Sequence, residues 1–325
     1  DRLNQNYRVQ VINGFLGEMN AIAIEPGVVV VGACNHPDRI DPAVTRAGRF
    51  DLKFEVPMPD SAAILAVLRQ HLKVDFPADA LELLARQAVG HSLASIDAAI
   101  RAARSEARHA GKPLDLAMLR DQLHLTSADE SREVLWRYAV HEAGHTVVAA
   151  ALRLGTIKRM SISRDGGEVA SRSTRGHGIL EDIEQEICHD LAGRAAERLV
   201  FGEVSAGAGG SATSDLSQAT RRAVGIETTW GLGDLGPLWL PAPETVLLTD
   251  DALRKRVRAR MEGAEERAIT ILTTHKANLL ALAETLLEKR SMGADEILPW
   301  VHAVQAHDPQ AKEAPPAADR PPPAS

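Results

Sequence analysis

His141-Glu142-Ala143-Gly144-His145 is an H-E-x-x-H stretch set inside a strongly helical window. Residues four apart share one helix face, a turn from each other, so both imidazoles reach a single metal ion. Glu142 sits beside that face, where a carboxylate takes a proton from a water polarised by the metal. Neutral imidazole suits zinc, and a hydrolytic site leaves one coordination position open. A lone histidine on an apolar helix face is usually a core residue. Two at ligand spacing, with a glutamate between them, predict a zinc site with peptidase chemistry.

Working outward, Ser127 and Glu130 form a capping box that should start this helix. Val134, Tyr138, His141, His145, Val148 and Leu152 predict one buried stripe, and Gly155 is the expected stop. Thr156 to Ser163 alternates like a half-exposed strand, with Asp165-Gly166-Gly167 as its turn. A second helix is expected from Leu180 to Phe201, followed by a glycine-rich loop, Gly202 to Ser211. A third helix should begin near Ser214-Asp215, and a long one should run from Asp250 to Lys289. The mixed charges of Arg254-Lys255-Arg256 and Glu265-Glu266-Arg267 read as a solvated face. Asp308 to Ser325, rich in proline and alanine, is expected to be disordered.

Toward the start, a helical pattern over Tyr7 to Asn20 precedes Val28-Val29-Val30-Val31. Four consecutive valines suit a strand covered on both faces of a parallel sheet. One strand is not a sheet, so its partners are expected upstream of Asp1, and the chain reads as part of a longer protein. Gly32-Ala33-Cys34-Asn35-His36-Pro37 follows as a polar turn at the strand's carboxyl end, where α/β sheets hold ligands. Asp41-Pro42-Ala43 predicts a short helix closing at Arg46-Ala47-Gly48-Arg49-Phe50-Asp51, and a second short strand is expected over Phe54 to Val56. Four helices are then predicted: Ser61 to Leu72, Ala78 to Val89, Ser92 to Ala110, and Leu114 to Leu123. Phe76-Pro77, Gly90-His91 and Gly111-Lys112-Pro113 separate them.

The chain's 325 residues allow two or three domains, and 45% hydrophobic with 25% charged residues is ordinary globular composition. A net charge of −7 with no long basic stripe argues against a nucleic-acid partner. Cys34 and Cys188 stand far apart outside any C-x-x-C pattern, which predicts a reducing compartment. No apolar run reaches the length that crosses a bilayer.

Two separated signatures together resemble one family, the FtsH-type AAA+ zinc metalloproteases. Gly32 to Pro37 running through Arg46-Ala47-Gly48-Arg49-Phe50-Asp51 resembles the second region of homology of AAA ATPases. His141-Glu142-Ala143-Gly144-His145 with Asp215-Leu216-Ser217-Gln218-Ala219-Thr220 is similar to the family's HEAGH and D-[LI]-x-x-A-T motifs. Trp230-Gly231 and Leu235-Gly236-Pro237-Leu238 match a further W-G and LGPL stretch. The resemblance covers nearly everything but the tail.

It implies a mainly α fold with a partial α/β module: residues 1–59 as the end of an AAA+ α/β subdomain and 60–126 as its helical lid. Residues 127–306 would be a mostly helical zinc metallopeptidase domain, and 307–325 a disordered tail. It also implies that His141, His145 and Asp215 bind Zn2+ and that Glu142 is the general base. Asn35 would be the sensor that positions the attacking water of ATP hydrolysis. Arg46 and Arg49 would be arginine fingers acting on a neighbouring subunit's nucleotide, hence a homo-hexameric ring. The substrates would be proteins. The full-length parent would be anchored in the inner membrane by preceding segments, with these domains on the cytoplasmic side.

The chain departs from the pattern in several places. No G-x-x-x-x-G-K-[ST] occurs, and the acidic Walker B strand is missing, so ATP and Mg2+ are expected to bind only in a longer parent. Gly90-His91-Ser92-Leu93-Ala94-Ser95-Ile96 differs from the family's G-[FY]-S-G-A-D-[LI] at Leu93 and Ser95, so the lid's contacts with a neighbour are expected to differ. Glu168-Val169-Ala170-Ser171-Arg172-Ser173 is more polar than the family's edge strand beside the cleft. His177, Cys188 and His189 read as surface or core residues, and Glu197 as a partner for a metal-bound histidine. The competing readings are a remodelling or scaffold protein with an inactive peptidase, and an isolated peptidase without ATPase activity.

Overall fold

The computed structural model describes residues 2–23, 25–37, 40–50, 52–54, 56–72, 75–125, 132–163, 166–173, 178–241 and 247–306. The expected capping box of Ser127 and Glu130, His177, and the expected tail from Asp308 onward lie outside them. Two compact units divide the chain, Asp1–Pro57 and Met58–Ser325.

In the first unit, α1 (Arg2–Ala23) extends the predicted helix at both ends. The two expected strands are not formed. Val28 to Val31 and the stretch around Phe54 and Val56 are unpaired, with Val29 and Val31 84% and 85% exposed. A strand is held by its ladder and its cross-strand neighbours, and no described residue pairs with these. The expected helix after Asp41 is instead a series of turns. Asp41 Oδ1 accepts from the Ala43 N–H at 2.8 Å and its carbonyl from the Val44 N–H at 2.9 Å, a local bonding that competes with helix.

The second unit opens with α2 (Ser61–Leu72), α3 (Ala78–Gln87), α4 (Leu93–Ala110) and α5 (Leu116–Gln122). Their boundaries follow the chemistry at the ends. Ser92 Oγ caps α4 by accepting from the Ser95 N–H, Gly111 ends it at φ 63°, and Asp115 Oδ1 caps α5. Their apolar faces close over one core that includes Ile64, Leu68, Leu84, Ile96, Ile100 and Leu119.

α6 (Arg132–Leu152) carries the H-E-x-x-H residues and is buried on every side from Ala139 to Ala150. The single-stripe expectation is therefore too narrow, and Val134, placed on that stripe, is exposed. The helix also stops earlier than Gly155. Arg153 takes φ 54°, and the Leu154 N–H donates back to the Ala149 carbonyl at 3.0 Å, closing the last turn. β1 (Gly155–Ser163) follows, pairing antiparallel with β2 (Gly166–Ser173) and β3 (Ser291–Gly293) in the order β2-β1-β3. A bulge at Lys158 shifts the alternation so that Ile157, Met160 and Ile162 all point inward.

The expected helix from Leu180 to Phe201 is two, α7 (Leu180–Asp190) and α8 (Ala192–Phe201), bent at Leu191. Each half serves a different core. Ile183 and Ile187 join Ala219, Ile226 and Leu253, whereas Ala192, Ala195 and Ala196 pack on α6. After α9 (Asp215–Thr228), the long helix is likewise split at His275 into α10 (Asp251–Thr274) and α11 (Lys276–Lys289). A last helix, α12 (Ala294–Ala306), holds Pro299 in its interior; the sequence reading ends its helices at Lys289 and does not include it.

Candidate metal centre

Both histidines project from the buried middle of α6, and the loop after α8 brings Asp215 to them as the first residue of α9. His141 Nε2 lies 3.2 Å from Asp215 Oδ2 and 3.2 Å from His145 Nε2, and His145 Nε2 lies 3.4 Å from the same oxygen. Ligands bonded to tetrahedral zinc at about 2.0–2.2 Å stand roughly 3.3 Å apart, so the three donor atoms have the spacing of three corners around one zinc.

The remaining nitrogens fix which atoms face inward. His141 Nδ1–H donates to Glu197 Oε1 at 2.9 Å, and His145 Nδ1–H donates to the His189 carbonyl at 2.8 Å. Each neutral ring then turns a bare Nε2 lone pair toward the carboxylate. Three acceptors without a donor repel one another, and a cation between them converts that repulsion into coordination. A proton is the alternative occupant. Burial opposes charge on His141, but its bonds to Asp215 and Glu197 and the nearby Glu142 outweigh this and push it up to about 10. Burial likewise disfavours the two carboxylates, yet the bond to His141 wins at both: Glu197 is pulled down to about 2 and Asp215 lies well below the carboxylate range.

Glu142 is buried next to the centre, and burial raises its pKa while His145 and His141 pull it back. Its side chain is pressed by β2: a Cβ at Gly167 would stand 2.5 Å from Glu142 Cγ. α8 approaches as closely from the other side. A Cβ at Gly144 would meet Ala196 Cβ at 2.6 Å, and one at Gly193 would meet His141 Cε1 at 2.5 Å. Bare backbone is required at these contacts.

A cleft of about 380 Å³ leads away from Glu142, His145 and Asp215 between β2 and α7. Its polar end holds Glu186 and Asp190, both bonded to Arg222, at 2.9 and 2.6 Å. Burial pushes Asp190 up to about 7 against the pull of Arg222. Burial also holds His189, beside His145, down at about 3, and raises the Cys188 thiol to about 12, leaving it an inert core residue.

The structure thus brings His141, Glu142, His145 and Asp215 together and puts Asn35, Arg46 and Arg49 in the other unit. Asn35 and Arg46 are exposed there. Arg49 donates through Nε to Asn20 Oδ1 at 3.1 Å and through Nη1 to the Ala43 carbonyl at 2.6 Å. Sequence reasoning missed Gly193, Gly167, Ser205, Arg137 and the His189 carbonyl. Only Gly193 carries a signal, because a glycine inside a helix costs about 1 kcal/mol relative to alanine and marks a close approach.

A histidine pair on a buried helix, completed by a carboxylate from a second helix, defines a helical protein of the H-E-x-x-H class. Peptidase family M41 matches residues 126–299, more than half the chain, and the ATPase family associated with various cellular activities (AAA) matches residues 1–58. The chain belongs to peptidase family M41, as the resemblance of its motifs implies. It is 34% identical over 320 residues to ATP-dependent zinc metalloprotease FtsH 1 of Symbiobacterium thermophilum, covering 89% of this chain and 51% of that protein. It is 33% identical over 320 residues to ATP-dependent zinc metalloprotease FtsH of Acidothermus cellulolyticus, covering 88% and 47%. With ATP-dependent zinc metalloprotease FtsH 3 of Sorangium cellulosum it shares 32% identity over 312 residues, covering 89% and 50%. The chain spans about half the length of the curated relatives it matches. Among the described residues, no helix is long and apolar enough to cross a membrane.

Proposed function

We propose that this chain is the peptidase part of an ATP-dependent zinc endopeptidase that degrades proteins, with His141, His145 and Asp215 as zinc ligands and Glu142 as general base. The observation that carries the reading is the convergence of three acceptor atoms at 3.2–3.4 Å, each ring oriented by its own Nδ1–H bond. Zinc, when bound, polarises a peptide carbonyl and acidifies a water. Glu142 receives the water's proton on its carboxylate and passes it to the departing amine. Its buried place beside the two histidines keeps that proton away from bulk water. The edge of β2 that has no strand partner among the described residues, and the adjoining cleft, receive an extended polypeptide.

We further propose that residues 1–59 and 60–126 are the end of an AAA+ module and its lid, preceding the peptidase domain of 127–306 and a tail from 307. In a longer parent, Asn35 would position water at an ATP–Mg2+ site, and Arg46 and Arg49 would reach a neighbour's nucleotide in a homo-hexamer. That parent would be anchored in the inner membrane with these domains on its cytoplasmic side. No nucleic acid is expected as a partner.

The test is metal analysis with casein cleavage. Purified protein should hold about one zinc per chain. Glu142→Gln should keep that zinc and lose cleavage; cleavage at the wild-type rate would refute the assigned role.

A further inference from the structure

Arg137 lies one turn before His141 on α6 and belongs to none of the motifs above. Its Nη1 donates to Glu197 Oε2 at 3.1 Å and its Nη2 to Glu203 Oε1 at 2.9 Å, while its Cζ lies 4.4 Å from the centroid of the Phe201 ring. Glu197 is 2% exposed. Besides Arg137 and His141, it accepts from the Ser205 N–H at 2.8 Å and the Ser205 hydroxyl at 3.0 Å. This one carboxylate therefore joins three segments: α6 with both histidines, α8, and the loop between α8 and α9 that delivers Asp215.

A buried carboxylate bonded only to a neutral imidazole and a serine would keep an uncompensated charge. Arg137 supplies the counter-charge, and its second arm holds Glu203 at the start of the same loop. The Phe201 ring beneath the guanidinium limits where it can swing. We infer that Arg137 is a positioning residue of the metal centre: through Glu197, and through the loop that Glu197 holds at Ser205, it presents His141 and Asp215 to the ion together. The inference rests on the proposed zinc site. The rival role for Arg137 is a plain staple between α6 and α8, which would affect stability and leave metal affinity alone.

Competition for zinc against a chromophoric chelator, using the full chain, separates these roles. The melting temperature of the metal-free protein is followed alongside. Arg137→Met keeps the stem over Phe201 and removes the charge; zinc affinity should fall by about 10-fold or more, as for loss of an outer-shell partner. Glu203→Gln breaks a pair whose Glu203 side chain is 73% exposed and should change affinity by no more than about threefold. The double variant Arg137→Met/Glu197→Gln should bind no more weakly than Glu197→Gln alone, because the arginine acts through the glutamate. Wild-type affinity in Arg137→Met would overturn the inference. Multiplicative losses in the double variant, or an equal loss in Glu203→Gln, would overturn it too. If Arg137→Met does not fold, Arg137→Gln replaces it, with unchanged affinity again the overturning result. A wild-type chain that binds no zinc would remove the metal centre itself, which is a different failure.

Discussion

Replacing Gly193 by alanine inserts one methyl group where α8 comes closest to the His141 ring. The new Cβ would stand 2.5 Å from Cε1 and nearer still to Nε2 and Cδ2. Carbon atoms in contact sit about 3.5–4.0 Å apart, so the ring or the helix must yield by roughly 1 Å. Neither is free to do so. The ring is tethered at Nδ1 by Glu197, and α8 is locked to α6 by the Gly144 contacts with Ala192 and Ala196. A 1 Å displacement of Nε2 is about half a zinc–nitrogen bond of 2.0–2.1 Å, so this ligand is lost. Overpacking of this kind costs about 1–3 kcal/mol, less than the stability of a typical domain, and the chain should stay folded. Zinc affinity should fall by at least about 100-fold, beyond the usual effect of an outer-shell change. Chelator competition and thermal unfolding of the metal-free protein measure the two effects separately. The sign of the second is informative, because alanine in an uncrowded helix interior would stabilise by about 1 kcal/mol. A Gly193→Ala protein that melts higher and binds zinc as the wild type does would refute the close-approach reasoning.

His145→Ala leaves two ligands and should lose most of its zinc in metal analysis; full occupancy would contradict the ligand assignment. Metal-free protein should lose stability as pH falls from about 4.5 toward 2. The folded state holds Glu197 down at about 2, so this carboxylate stabilises above its unfolded value and ceases to as it protonates. The contribution is on the order of 3 kcal/mol, and an acid unfolding slope unchanged in Glu197→Gln would count against it. In a longer parent that hydrolyses ATP, Arg49→Ala should abolish turnover and spare nucleotide binding, a loss on the order of 10³-fold. Mixing it with a P-loop-dead variant should restore part of the activity; co-assembled rings that stay dead would rule out action in trans.

The parts of this fold legible in the sequence are those set by short-range chemistry. α2 and α4 begin and end near where their serine, proline and glycine signals lie, and His141, Glu142 and His145 are readable because ligand spacing and helix period coincide. Asp215 is different. Nothing local distinguishes it from a carboxylate favoured at a helix start, and only the family resemblance points to it. The bends at Leu191 and His275 were illegible for a related reason. Both helices keep a continuous helical pattern in sequence; at Leu191 the halves pack largely into different cores, whereas the residues on either side of His275 share one core. The valine strand failed in the opposite sense: its composition is right, but a strand needs partners and the described residues supply none.

The single-stripe reading of α6 shows what a buried catalytic helix demands of its sequence. A helix with one wet face can leave its polar residues there, but His141, Glu142 and His145 are all under a tenth exposed. Each polar atom must then be satisfied or directed by a neighbour, since an unpaired buried group costs about 1–3 kcal/mol. That forces neighbours close on every side: α8 on one, with Glu197 for His141; α7 on another, with the His189 carbonyl for His145; and β2 against Glu142. Close neighbours in turn demand small residues, which is why Ala143 and Gly144 separate the two histidines and why Gly193 and Gly167 face them. The apolar periodicity is blurred by that same enclosure, because between Ala139 and Ala150 the helix has no solvent face on which to show it.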